Sequence, residues 1–210
     1  ILEPPSGYDV ILTDGNICID ENPQIGLNWS DVGVTYELNR IAASYNPVAI
    51  ANGQDAPLTF TPTFELEAGD YKVKAIDDVN SCEMWMNNTV TLFNPPDIYD
   101  VTANGYVSQS GHFCPPVDIG LSFSQPAIIY SLIKEGITLS FLVGDGNSLS
   151  FGSFFEPGVY TITALNLETT CNSEMNGSVT ISDGPAPYEL TTENPLFCYG
   201  DQNAVTLILI

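Results

Sequence analysis

The chain predicts an all-β fold of tandem two-sheet sandwich modules set head to tail, and three observations carry that reading. First, the sequence repeats itself: residues 69–92 lie without a gap on residues 158–181, and a glycine, tyrosine, alanine, cysteine, methionine, asparagine, valine and threonine recur 89 positions later. Second, short apolar or alternating runs follow one another throughout, punctuated by Gly, Pro, Asn and Asp, and no stretch of comparable length has a helical period. Third, proline clusters stand between the copies, at Pro4-Pro5, Pro95-Pro96 and Pro185-Ala186-Pro187. A tandem array of one module is quasi-one-dimensional, suited to reach and display rather than to enclosing a single catalytic cleft.

In the second copy the β-rich runs fall at 99–108, 117–124, 127–134, 138–143, 148–154, 158–166 and 174–182. Cys114-Pro115-Pro116, Gly144-Asp145-Gly146-Asn147 and Pro157-Gly158 read as turns between them. Seven short strands in roughly 90 residues is the arithmetic of an immunoglobulin-like sandwich. The run G-x-Y-x-V/I-x-A puts Tyr71 and Tyr160 at the start of the sixth strand. Such sandwiches hold a corner tyrosine there, its hydroxyl bonded back to the chain. The second strand repeats as well, IGLNWS at 25–30 answering IGLSFS at 119–124. Trp29 falls opposite Phe123 and is expected in the core, whereas Trp85 falls opposite Glu174 and is expected at the surface.

A further copy opens at Tyr188-Glu189-Leu190, in the register of Tyr8-Asp9-Val10 and Tyr99-Asp100-Val101. The expected organisation is therefore the end of a preceding repeat at 1–2, whole repeats at 3–95 and 96–185, and the truncated start of another at 186–210. The chain reads as a piece of a longer protein. Proline restricts its own φ and the residue before it, so the joints are expected to be stiff and the array a rod.

Lys and Arg together number 4 against 26 Asp and Glu, a formal charge of −22. Such a surface repels phosphate backbones and anionic lipid, which argues against nucleic acid and against electrostatic membrane binding. No apolar run has the length of a membrane span. The acidity reads as a solubilising surface. Calcium at the joints is the second reading, because Asp97 and Asp100 follow Pro95-Pro96 and Asp183 precedes Pro185. No other cofactor is expected. His112, the sole histidine, is placed in a turn and has no counterpart in the first copy. Carboxylate pairs such as Asp20/Glu21, Asp77/Asp78 and Asp97/Asp100 are what 26 acids produce by chance, and no phosphate-binding loop or EF-hand pattern occurs. No residue is assigned to catalysis, and the chain is expected not to be an enzyme. N-x-S/T sequons stand at Asn28, Asn87 and Asn176.

The cysteines hold fixed places: Cys18, Cys114 and Cys198 before the second strand of a copy, Cys82 and Cys171 between its sixth and seventh. With one histidine and no C-x-x-C, they read as disulfides of an oxidising compartment rather than metal ligands. Two connectivities remain open. Proximity suggests Cys18–Cys82 and Cys114–Cys171, one bridge per module. Strand parity favours Cys18–Cys171. Strands two and six run parallel, so the two cysteines of a module lie at opposite poles, separated by about 26 Å for a strand of about eight residues. Bridged Cα atoms lie within about 7 Å. In a head-to-tail rod the far pole of one module meets the near pole of the next. Cys82, Cys114 and Cys198 are then left to find partners beyond these two modules.

The pattern I-G-L-x-x-S, then Y-x-L, then G-x-Y-x-I-x-A, a cysteine and M-N-G-S-V-T-I resembles the immunoglobulin-like repeats of giant Bacteroidota cell-surface proteins, similar to the SprB-type gliding adhesins exported by type IX secretion. The second copy matches it at Tyr160, Ala164, Cys171, Met175, Gly177 and Ser178; the first departs at Asn88 and Thr89. The resemblance implies a secreted, outer-surface filament serving adhesion or gliding motility, whose partners are neighbouring repeats of the same chain and an external surface or glycan, without membrane insertion. The rival reading is a carbohydrate-binding or spacer region of a secreted multidomain enzyme. For it Trp29 and Trp85 are the candidate aromatic platform.

Overall fold

The computed structural model describes residues 3–41 and 47–184. Cys198 and the expected repeat fragments at 1–2 and 186–210 lie outside them. Strands in the first half are β1 Val10–Leu12, β2 Ile25–Leu27, β3 Val34–Arg40, β4 Ala49–Asn52, β5 Leu58–Thr59, β6 Gly69–Asp77, β7 Glu83–Trp85 and β8 Val90–Leu92. The second half has β9 Val101–Ala103, β10 Tyr106–Val107, β11 His112–Phe113, β12 Val117–Leu121, β13 Ile129–Lys134, β14 Ile137–Val143, β15 Leu149–Phe154, β16 Gly158–Leu165, β17 Asn172–Glu174 and β18 Val179–Ile181. Helix is limited, among the described residues, to one 3-10 turn at Ile19–Glu21.

Period-two patterning makes the sheets. β3 buries Val34, Tyr36 and Leu38, and β6 buries Tyr71, Val73 and Ala75; the strands pair antiparallel with Tyr36 opposite Ala75 and Leu38 opposite Val73. One sheet runs β1-β2-β5, the other β4-β3-β6 with β7 and β8 both on the free side of β6. The second half repeats this as β10-β9-β12-β15 and β11-β18-β16-β13-β14, with β17 also on β16. This is the immunoglobulin-like arrangement of two sheets, antiparallel throughout except where β11 pairs with β18 in parallel. Each half has its own core: one cluster is drawn from Val10, Leu27, Tyr36, Phe60, Val73 and their neighbours, the other from Val101, Ile119, Tyr130, Ile162, Ile181 and theirs.

The halves share the bonds that anchor each sandwich. The Tyr71 hydroxyl donates to the Glu67 carbonyl at 2.7 Å and that of Tyr160 to the Glu156 carbonyl at 2.8 Å, the expected corner tyrosines. Ser30 Oγ donates to Ala56 O and Ser124 Oγ to Asn147 O, both at 2.7 Å. The Tyr36 hydroxyl accepts the Asp31 N–H and that of Tyr130 accepts the Gln125 N–H. Gly26 and Gly120 hold equivalent sites in β2 and β12. A Cβ there would stand 2.3 Å from Leu58 O in the first case and 2.2 Å from Leu149 O in the second, so only glycine lets the neighbouring backbone approach.

Three expectations need correction. The run at 99–108 is a hairpin, β9–β10, turned by Asn104 and Gly105 at φ 53° and 80°, the left-handed pair a tight two-residue turn requires. His112 lies in β11, paired in parallel with Thr180 of β18, and not in a turn. Trp29 lies beyond the end of β2 and is 39% exposed, because the chain leaves the sheet after Leu27 and the buried site falls to Ser30.

Candidate functional site: the cystine between the sandwiches

Cys18 is set by the last strand of the first sandwich. Phe93 N–H donates to Ile17 O at 2.8 Å and Ile19 N–H to Phe93 O at 3.0 Å, which lays Cys18 parallel to the chain just before Asn94-Pro95-Pro96. Cys171 is set by the loop between β16 and β17. There Thr170, at φ 62°, donates its N–H to Asn166 O, and Asn166 N–H donates to Cys171 O. The Cys171 N–H is taken by Thr169 Oγ1 at 3.3 Å. Ser173 Oγ, in β17 just after this loop, donates to Pro96 O at 2.6 Å, tying the strand to the linker itself. Two backbone-fixed cysteines thus converge on one joint.

They are bonded. Cys18 and Cys171 form a disulfide with Cα atoms 5.6 Å apart across a sequence separation of 153, and both are almost wholly buried. Of the two connectivities left open by the sequence, the structure has the one that follows from strand parity. Cys18–Cys82 and Cys114–Cys171 are not formed; among the described residues Cys82, half-buried, and Cys114, exposed, are free thiols. The physical reason is topological. Cys18 sits where β8 ends, while Cys82 sits where β6 ends, and the antiparallel pairing of β6 with β8 puts those ends at opposite poles.

The joint carboxylates are used locally. Asp97 accepts from Gln125 Nε2 at 2.9 Å and Asp100 from Asn176 Nδ2 at 2.6 Å. Asp183 follows β18, at the other end of the second sandwich, and is not brought to them. No cluster of three or more His, Cys, Asp or Glu with metal-binding proximity exists among the described residues. The sequon asparagines are also engaged: Asn87 Nδ2 donates to Asp9 at 2.9 Å, and Asn28 Oδ1 accepts the Asp9 N–H at 2.9 Å. Trp85 is half-exposed on β7, with the Lys72 ammonium 5.7 Å from its ring centroid. No described helix is long and apolar enough to cross a membrane.

Burial shifts the inner phenols. Tyr36, Tyr71 and Tyr130 are all pushed above the ordinary tyrosine range, chiefly by desolvation. Asp77 is held below the usual carboxylate range by the backbone N–H groups of Asn80 and Val79, a turn-stabilising role.

No protein-family model matches the chain, and no curated protein matches it. Among solved structures it is similar to murine CEACAM1b at 10% identity, covering 83% of this chain and 98% of that one, with a TM-score of 0.41. It is similar also to the fibronectin(III)-like modules of Clostridium thermocellum CbhA at 8% identity, covering 86% and 100%, TM-score 0.39. A third likeness, to Bacteroides ovatus SGBP-B, has 16% identity, covers 96% of this chain and 52% of that one, and has a TM-score of 0.30. Scores this low leave the fold assignment to the sheet topology itself.

Proposed function

We propose that the two sandwiches are consecutive modules, at about 3–95 and 96–185, of a non-catalytic extracellular stalk that holds a binding region away from the cell surface. The observation that carries this reading is the Cys18–Cys171 bridge, which closes the joint around Pro95-Pro96 and belongs to an oxidising compartment. A prolyl joint alone leaves bending about the flanking residues; a second covalent strut beside it removes most of that freedom. Such a strut suits a stalk that carries tension, as in the type IX-exported surface filaments of the gliding-adhesin kind that the sequence resembles. The test is a distance distribution between spin labels on β4 and β14 in the native chain and in Cys18→Ser/Cys171→Ser. The distribution should broaden in the variant, and an unchanged width would overturn the stiff-joint reading. Screening against peptide, ester and glycoside substrates should show no turnover.

The carbohydrate-binding reading has one observation of its own, Trp85 with Lys72 beside it on an open sheet face. The second sandwich has Glu174 at that place, so the platform would be a single ring. A glycan array on native and Trp85→Ala protein decides: binding lost with the ring would favour this reading over a plain stalk.

A further inference from the structure

The two free thiols sit in the same backbone settings as the two bonded ones. For Cys114, Ser182 N–H donates to Phe113 O at 3.0 Å, the counterpart of Phe93 N–H on Ile17 O beside Cys18. β11 runs parallel to β18 just as Cys18 bridges in parallel to Phe93, so Cys114 stands exposed at the end of the second sandwich's last strand. For Cys82, Asp77 N–H donates to Cys82 O at 3.0 Å and Ser81 N–H to Asp77 O at 2.9 Å. Those are the bonds that Asn166 and Thr170 make around Cys171, and Ser81 at φ 60° matches Thr170 at 62°. The Cys82 N–H is taken by Asn80 Oδ1 at 2.8 Å, as that of Cys171 is by Thr169, and Asn80 Nδ2 reaches Glu3 O at the preceding linker. Most of the backbone bonds that present the bonded pair are repeated around the unbonded pair; Pro115, without an N–H, cannot repeat the bond from Ile19 to Phe93, and Met84 stands where Ser173 ties the joint.

We infer, resting on the stalk reading, that Cys114 and Cys82 are the two open halves of the same staple. Cys114 bonds the Cys82-type cysteine of the following module, and Cys82 bonds the Cys114-type cysteine of the preceding one. Each module then gives one cysteine to each neighbour and keeps none for itself. The staples overlap: the span from Cys114 to Cys171, which contains β12–β16, falls inside the loop closed at Cys18–Cys171 and inside the loop that starts at Cys114. Bond formation takes a low-molecular-weight disulfide as oxidant. The Cys114 thiolate attacks one glutathione disulfide and releases one glutathione. The incoming Cys82-type thiolate then attacks the mixed disulfide at the Cys114 sulfur and releases the second glutathione. Two thiols lose two electrons and two protons, and both appear on the released glutathione thiols.

The test extends the full chain by inserting a second copy of residues 4–183 after Asp183, which places the inserted Pro4 where Pro95 stands after Asn94. Refolding in a glutathione redox buffer and non-reducing peptide mapping should show Cys114 of the first copy joined to Cys82 of the inserted copy. Maleimide labelling of that Cys114 should fall at least tenfold against the 210-residue chain and return when the inserted Cys82 alone is changed to Ser. The Cys18–Cys171 bridges inside the two copies are the internal control. If they form while Cys114 stays labelled, or pairs with Cys198, the inference is overturned and the stalk reading stands. If the Cys18–Cys171 bridges themselves fail to form, both are overturned.

Discussion

Pulling the chain from its two ends should extend only the segments outside Cys18–Cys171, among them β1, β17 and β18, while that bridge is intact. The bridge encloses a sequence separation of 153, which takes in β2 to β16 and most of both hydrophobic cores, and force applied at the termini passes through the sulfur atoms past that span, loading only β1, β17 and β18. An unfolded residue spans at most about 3.3–3.6 Å, so the locked span is worth about 500–550 Å of contour length. Reduction, or Cys18→Ser/Cys171→Ser, should release that length in two steps, one per core, against only the flanking segments in the oxidised chain. The same loop restricts the unfolded ensemble. On the chain-entropy relation a loop of this size contributes up to about 5 kcal/mol, shared between two sandwiches that otherwise unfold separately. Single-molecule force spectroscopy with and without reductant reads the first quantity, and urea unfolding of the double variant reads the second. An oxidised chain that extends by about 500 Å, or a reduced one that extends no further than the oxidised one, would refute the reasoning.

Gly120→Ala should cost about 2–3 kcal/mol in urea unfolding, since its Cβ would meet Leu149 O at 2.2 Å and backbone must move; a change under about 0.5 kcal/mol would deny the close approach. Tyr71→Phe should cost about 1 kcal/mol more than Tyr160→Phe. Its hydroxyl both donates to Glu67 O and accepts the Glu67 N–H, whereas that of Tyr160 only donates; equal losses would contradict this. With Tyr36, Tyr71 and Tyr130 raised by burial, the folded state holds phenol protons that the unfolded chain releases near pH 10. Their contribution is therefore complete below about pH 10 and lost as pH rises through the folded values. Melts followed by phenolate absorbance check it, and phenolate appearing ahead of unfolding would refute it.

How much of this was legible before the coordinates depended on what kind of physics each feature obeys. The sandwich was legible because period-two burial, turn residues and the corner tyrosine are local signals, written twice in one chain. Strand parity was legible for the same reason: counting strands fixes which pole each cysteine occupies, and distance then favours the pairing found. Local geometry between those signals was not. The Asn104-Gly105 turn lies inside a run that reads as one strand, since Val101 and Thr102 before it and Tyr106 and Val107 after it are all good strand formers. Trp29 looked interior because its partner Phe123 is aromatic too, yet both point away from the core, at 39% and 43% exposed.

The tie from Ser173 to Pro96 left no trace either, because Met84 fills the equivalent place and comparing the two copies hides whatever only one of them does. That difference has a mechanical meaning. The two copies share the groups that build a sandwich and diverge in the groups that seat it on its neighbour. Ser173 clasps the joint whose partner cysteine is present, while around Cys82 the clasp is made by Asn80 on Glu3. In a repeat protein the shared residues report the module, and the unshared ones report the joint.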